Sequence, residues 1–206
     1  MTKKTRRKKK MKVYDCILTR RSTRLFLEEM PEEDSLNMIV EAGRHAPSGG
    51  NSQSTHFFVI KDAGVLEKLS ELVEDAFLKM EIYEGMYRSM VSSITRAKKG
   101  GYIFHYNAPV LIVTANKKDY GNNIADCACA LENMMICANS LDMGTCWINQ
   151  LKWLNEDPAL LEYFRSFGLK EDERIYGALA VGYAATEDGL PVRKPLPRTG
   201  NEVTVI

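Results

Sequence analysis

A chain of 206 residues that is 45% hydrophobic and 27% charged is long enough for one domain with a full core and has the composition of a soluble globular protein. No apolar run is long enough to span a bilayer, and no apolar segment follows the basic N-terminus as it would in a secretory signal, so a cytoplasmic protein is expected. The net charge of +1 is uneven: seven of the 28 basic residues lie in residues 1–10, and the remaining 21 face 27 acidic ones, a body near −6 that is no nucleic-acid binder by charge. Residues 1–12 read as a basic, disordered tail without a part in the body's function, and 13–206 as a single domain. The tail could also be an arm for nucleic acid or anionic lipid, or an upstream extension ahead of Met11. Five cysteines, with no C-x-x-C pair, fit free thiols in a reducing compartment. His45, His56 and His105 lack metal-ligand spacing, so no structural zinc is expected.

In chain order, Val13–Thr19 reads as a short helix ending at Arg20-Arg21-Ser22-Thr23-Arg24. Leu25-Phe26 is read as the start of an extended segment. Pro31 is expected in the first turn of a second helix, where its missing N–H is harmless, with Glu32, Glu33 and Asp34 complementing the dipole. Leu36, Ile39, Val40 and Gly43 carry the 3.6-residue period, and Pro47 ends that helix. Phe57–Ile60 is a buried-type strand, and Val65 to Ala76 a helix stripe. Lys79–His105, rich in Met, Tyr, Ser, Lys and Gly, has weak periodicity and reads as a lid or binding loop.

Ala108–Ala115 is a second strand. Asn122–Leu141 is the longest helix, apolar nearly all round, so a core helix also covered by a second subunit is expected. Thr145–Ile148 is a strand, Asp157–Phe167 a helix closed by Gly168, and Ile175–Ala185 another strand. Val203–Ile206 is expected as an edge strand. Interleaved strands and helices argue for an α/β or α+β sandwich, and the G-x-G-x-x-G and P-loop patterns are absent.

Two loops carry chemistry. Ala46-Pro47-Ser48-Gly49-Gly50-Asn51-Ser52-Gln53 combines amides that donate and accept, a hydroxyl, and glycines that allow positive φ and close approach. It suits a flat heteroaromatic ring edged with carbonyls and nitrogens, although alone it is also an ordinary turn. Arg20–Arg24 packs three guanidinium groups and two hydroxyls into five residues. A preceding helix C-terminus disfavours an anion, so the arginine forks themselves must attract phosphate; a solvated basic turn is the alternative. Arg193, Lys194 and Arg198 form a second basic cluster.

These stretches, together with Gly144-Thr145-Cys146-Trp147-Ile148, Val181-Gly182-Tyr183 and Arg193-Lys194-Pro195, resemble in order and spacing the nitroreductase family of FMN flavoproteins. The resemblance spans Val13 to Pro195. It implies an α+β three-layer sandwich with a central, mainly antiparallel sheet flanked by helices, in an intertwined homodimer with FMN at the subunit interface and a C-terminal tail wrapping the partner. Arg20, Ser22 and Arg193 match positions that hold the FMN phosphate, and Arg21 between them matches a backbone contact. Arg24 matches the basic position near the flavin pyrimidine edge. Pro47, Ser48 and Asn51, with Gln53 close by, match contacts from the other subunit. Trp147, Ile148, Asn149 and Gln150 match the segment whose backbone faces the ring near N5. Many members carry Gln-Pro-Trp where this chain has Gln53-Ser54-Thr55.

The implied activity is electron transfer from NAD(P)H through FMN N5 to a small aromatic acceptor, a nitro compound or quinone, by a ping-pong mechanism. Arg24 is the candidate stabiliser of negative charge on the reduced ring, and no other catalytic side chain is required. Two alternatives stay open. One is a specialised flavin enzyme, such as a reductive dehalogenase or a flavin-processing enzyme, decided by Lys79–His105. The other is a flavin-binding regulator using the basic tail on nucleic acid.

Overall fold

The computed structural model describes residues 11–206; the basic run 1–10 lies outside them. Seven helices and four strands follow in chain order: α1 Val13–Thr19, α2 Glu33–Arg44, β1 His56–Ile60, α3 Ala63–Leu78, α4 Arg88–Ala97, β2 Val110–Lys117, α5 Asn123–Ser140, β3 Gly144–Ile148, α6 Gln150–Trp153, α7 Pro158–Arg165 and β4 Glu173–Gly182. The sheet order is β1-β2-β4-β3, every pair antiparallel. No helix among the described residues is long and apolar enough to cross a membrane.

Alternation along the two central strands makes three layers. Val110, Ile112, Leu179 and Val181 face a core shared with Leu36 and Ile39 of α2 and Leu131, Met134 and Ala138 of α5. Leu111, Val113, Ala178 and Ala180 face the opposite core, with Leu69 and Phe77 of α3, Ile94 of α4 and Phe164 of α7. Strands covered on both faces need apolar residues at consecutive positions, which is why Val110–Val113 reads as an unbroken apolar run. Two helix starts are fixed by side-chain caps: Asp62 accepts from Val65 N, and Asp157 from Ala159 N and Leu160 N just before Pro158.

Three expectations are corrected. Pro31 does not open α2: Glu32 is the N-cap, and Pro31 is buried just outside the helix. Lys79–His105 is not all irregular: its serine-rich middle forms α4, whose apolar side is Met90, Val91, Ile94 and Ala97. Val203–Ile206 forms no strand, and Val203 and Val205 are exposed, with no strand pairing to them among the described residues. Within one chain, Asp126, Cys127, Ala130, Leu131, Met134, Met135, Ala138 and Asn139 of α5 face inward, while Ile124 is 49% exposed and Cys129 is exposed on the side where a second subunit is expected.

Candidate cofactor site

The arginine segment runs along the outer edge of β3. Ser22 bridges Thr145 in parallel, Thr23 N donates to Thr145 O at 2.8 Å, and Phe26 bridges Ala184 in antiparallel fashion. The approach is close because residue 144 is glycine: a Cβ there would fall 2.5 Å from Thr23 Oγ1. The segment begins where α1 ends, with Arg20 as the C-cap and its N–H bonded to Cys16 O. Arg20 Nε lies 3.8 Å from Glu132 Oε1 on α5. Arg21 Nη1 donates to Arg20 O at 2.6 Å, while its Nε and Nη2 are buried with no acceptor among the described residues. Ser22 is exposed, and the Arg24 guanidinium sits 5.9 Å from the Tyr106 ring centre. Burial raises the Cys146 thiol pKa, against opposing pulls from Arg24, Ser22 and Arg20.

The strand delivers Trp147, Ile148, Asn149 and Gln150 to the same region. Trp147 Nε1 donates to Asn149 Oδ1 at 2.9 Å, which fixes the turn. Gln150 begins α6 with its side chain turned inward: Nε2 donates to Tyr102 Oη at 2.8 Å and Ser93 Oγ at 3.3 Å. Burial pushes the Tyr102 phenol up, against the hydrogen bonds from Ser93 and Gln150, so it stays protonated. This buried knot ties α4 and the following loop to the turn after β3.

Arg193 stands apart from Ser22, at the C-terminal end of α5. Its Nε donates to Asn139 Oδ1 at 3.1 Å, its Nη2 to Asn139 O, and it pairs with Asp142 at 2.7 Å. Asn139 links it to the arginine segment, because Asn139 Nδ2 also donates to Cys16 O at 3.0 Å.

The Pro47–Gln53 loop is elsewhere, against the N-terminal turn of α5. Gly49 N donates to Asp126 Oδ1 at 3.1 Å, Tyr120 Oη donates to Gly49 O at 3.0 Å, and Ser52 Oγ reaches Tyr120 Oη at 3.1 Å. Ser48 Oγ accepts from Gln53 N, and Gln53 Nε2 donates to Asn51 Oδ1. Gly50, Asn51 and Gln53 all have positive φ, at 59°, 55° and 48°. Among the described residues no hydrogen bond or salt bridge joins this loop to Arg20–Arg24 or Trp147–Gln150. One chain therefore presents two separate polar clusters with no direct hydrogen bond or salt bridge between them among the described residues. Asp126, Tyr120, Ser93 and Tyr102 were not readable as site residues, since their partners are far off in sequence.

A statistical description of the nitroreductase family matches residues 17–183. The chain belongs to the nitroreductase family. A nitroreductase of Bacteroides fragilis, solved with bound FMN, is 33% identical, with a TM-score of 0.82 and coverage of 95% of this chain and 100% of that one. An Archaeoglobus fulgidus protein provisionally named an NADH dehydrogenase/NAD(P)H nitroreductase is 27% identical over 175 residues, 83% of this chain and 84% of its own. Iodotyrosine deiodinase, solved with FMN and 3-iodo-L-tyrosine, is 18% identical with a TM-score of 0.67, covering 95% and 98%; this is a likeness of fold alone. The nitroreductase match takes in both clusters and stops before Arg193.

Proposed function

We propose that this chain is an FMN-dependent oxidoreductase that takes electrons from NAD(P)H and passes them, by alternate occupation of one pocket, to a small aromatic acceptor such as a nitro compound or quinone. The proposed unit is a single FMN-binding domain over 13–206, working as a homodimer. The observation that carries the reading is Arg21, whose two buried donors lack acceptors beside Arg20 and Ser22. An acceptor-rich cofactor with a phosphate fits those donors, and leaving them unmatched is costly.

Arg20 and Ser22 would hold the phosphate through charge and a hydroxyl donor, with Arg193 adding charge at the end of α5. Arg24 would stand at the pyrimidine edge, where its cation favours negative charge on the ring. The backbone of Trp147–Gln150 would face N5. Pro47, Ser48, Asn51 and Gln53 would come from the second copy, which supports a dimer because one chain keeps its two clusters apart. When bound, FMN supplies the redox chemistry, and the protein contributes position, charge and exclusion of water.

The test is a visible spectrum of the purified protein, identification of the released cofactor by mass, and anaerobic addition of NADH or NADPH. FMN that bleaches on addition is the expected result. FAD, no flavin, or a flavin that neither nucleotide reduces would overturn the reading.

A further inference from the structure

A cavity of about 420 Å³ opens beside Arg24. Arg24 forms one wall; the end of α4 and the loop after it form the other, with Arg96, Lys99, Tyr102 and Tyr106. All three cations are exposed, and among the described residues none has a salt-bridge partner. Glu74, which accepts Tyr102 N–H at 3.1 Å, is not among the residues that line the cavity. Arg96 and Lys99 could be explained as complements to the dipole at the C-terminus of α4. That account does not reach Arg24, which arrives from the edge of β3, where the reading above sets it beside the flavin, and puts a third cation on the opposite wall of the cavity in a body near −6.

The loop backbone is also open. Gly100 and Gly101 have φ of 81° and 72°, and a Cβ on either would meet nothing within 4 Å. Only glycine adopts this geometry freely, so the uncovered backbone can lie close to a ligand. The cavity is tied to the proposed flavin site through both walls. Arg24 shares its segment with Ser22, and Tyr102 is bonded to Gln150 of the turn after β3.

We propose that this cavity is an anion subsite, binding the carboxylate or phosphate of a molecule whose aromatic part lies on the flavin. The inference rests on the FMN reading above and adds the class of substrate. The subsite makes and breaks no bond; it contributes charge and position. Two sources of the anion are distinguishable: an acidic group on the acceptor, or the 2′-phosphate that separates NADPH from NADH.

The experiment compares matched pairs on the FMN-loaded protein and on Arg96→Gln, Lys99→Gln and the double variant. The acceptor pair is 4-nitrobenzoate and 4-nitrobenzamide; the reductant pair is NADPH and NADH. Exposed ion pairs are individually weak, so the double variant should lose about three- to tenfold in kcat/KM for the anionic member, through KM, and little for the neutral one. The discrimination should also shrink as salt rises. A change confined to 4-nitrobenzoate assigns the anion to the acceptor, and a change confined to NADPH assigns it to the reductant; both support the subsite. Titrating the oxidised protein with benzoate and benzamide, read by the flavin absorbance, repeats the comparison without turnover. If the variants keep FMN and reduce 4-nitrobenzamide with NADH while both ratios stay at wild-type values, the subsite is overturned and the FMN reading stands. Absence of flavin from the wild-type protein would overturn both.

Discussion

Asp126→Ala tests whether the glycine-rich loop is held ready for a ligand. Asp126 is 5% exposed and accepts the Gly49 N–H at 3.1 Å, with Ser52 Oγ at 3.5 Å from its other oxygen. A hydrogen bond to a charged group contributes about 1.5–3 kcal/mol. Against it stands the left-handed backbone at Gln53, which costs a non-glycine residue about 1–2 kcal/mol. The clamp and the strain are of similar size, so removing the clamp should let the loop leave its shape. If the loop contributes to binding FMN, the dissociation constant should rise by about ten- to a hundredfold. Asp126→Asn keeps an acceptor without the charge and should fall between, about fivefold weaker than wild type. Gly49→Ala attacks the same contact from the other side, since its Cβ would strike the Asn122 amide and lie 2.5 Å from Tyr120 Oη. The assay is titration of apoprotein with FMN by fluorescence, with the apoprotein melting temperature recorded beside it. A folded Asp126→Ala protein with the wild-type dissociation constant would refute the reasoning.

Arg20→Ala should weaken FMN binding by about 1.5–3 kcal/mol and leave the fold intact, since Arg20 has only a long contact to Glu132; an unchanged dissociation constant by the same titration would contradict the phosphate assignment. Co-expressed Asn51→Ala and Arg20→Ala chains should form heterodimers with one intact and one doubly altered site, recovering up to half the wild-type FMN; verified heterodimers with none would show that each site is built within one chain. Stability should fall at alkaline pH. Burial pushes the Cys127 thiol from 9.0 to about 12, so the folded state keeps a proton that the unfolded state releases, and the stabilisation is full below pH 9 and lost as pH rises toward 12. Cys16, Cys137, Cys146 and Tyr102 shift in the same direction; a urea midpoint unchanged between pH 8 and 10.5 would contradict this.

Elements with a local cause were legible in the sequence. Asp157-Pro158 announces α7 and Gly168, at φ 100°, closes its end, while unbroken apolar runs mark the strands buried on both faces. The arginine segment and the glycine-rich loop were legible as chemistry because their residue types are clustered in sequence. The α4 helix was not, because Ser89, Ser92, Ser93 and Thr95 dilute its apolar stripe, and what holds it is packing against α3 and the bond to Gln150. The loop clamp was equally hidden: Asp126 reads as a dipole complement in the first turn of α5, and its partner Gly49 lies 77 positions away. Val203 and Val205 read as strand because alternation reports propensity and carries nothing about whether a neighbouring strand exists.

The two margins of the sheet differ. On the β3 side the Ser22 segment bridges Thr145, whereas among the described residues β1 is paired on its β2 side only. Unpaired strand edges are the usual nuclei of uncontrolled polymerisation. Here β1 is the margin open to a second copy, and two copies joined there would turn their β3 sides outward. Strand addition at that margin would end after one step, and on the opposite side of the sheet the segment that holds Ser22 already covers Thr145.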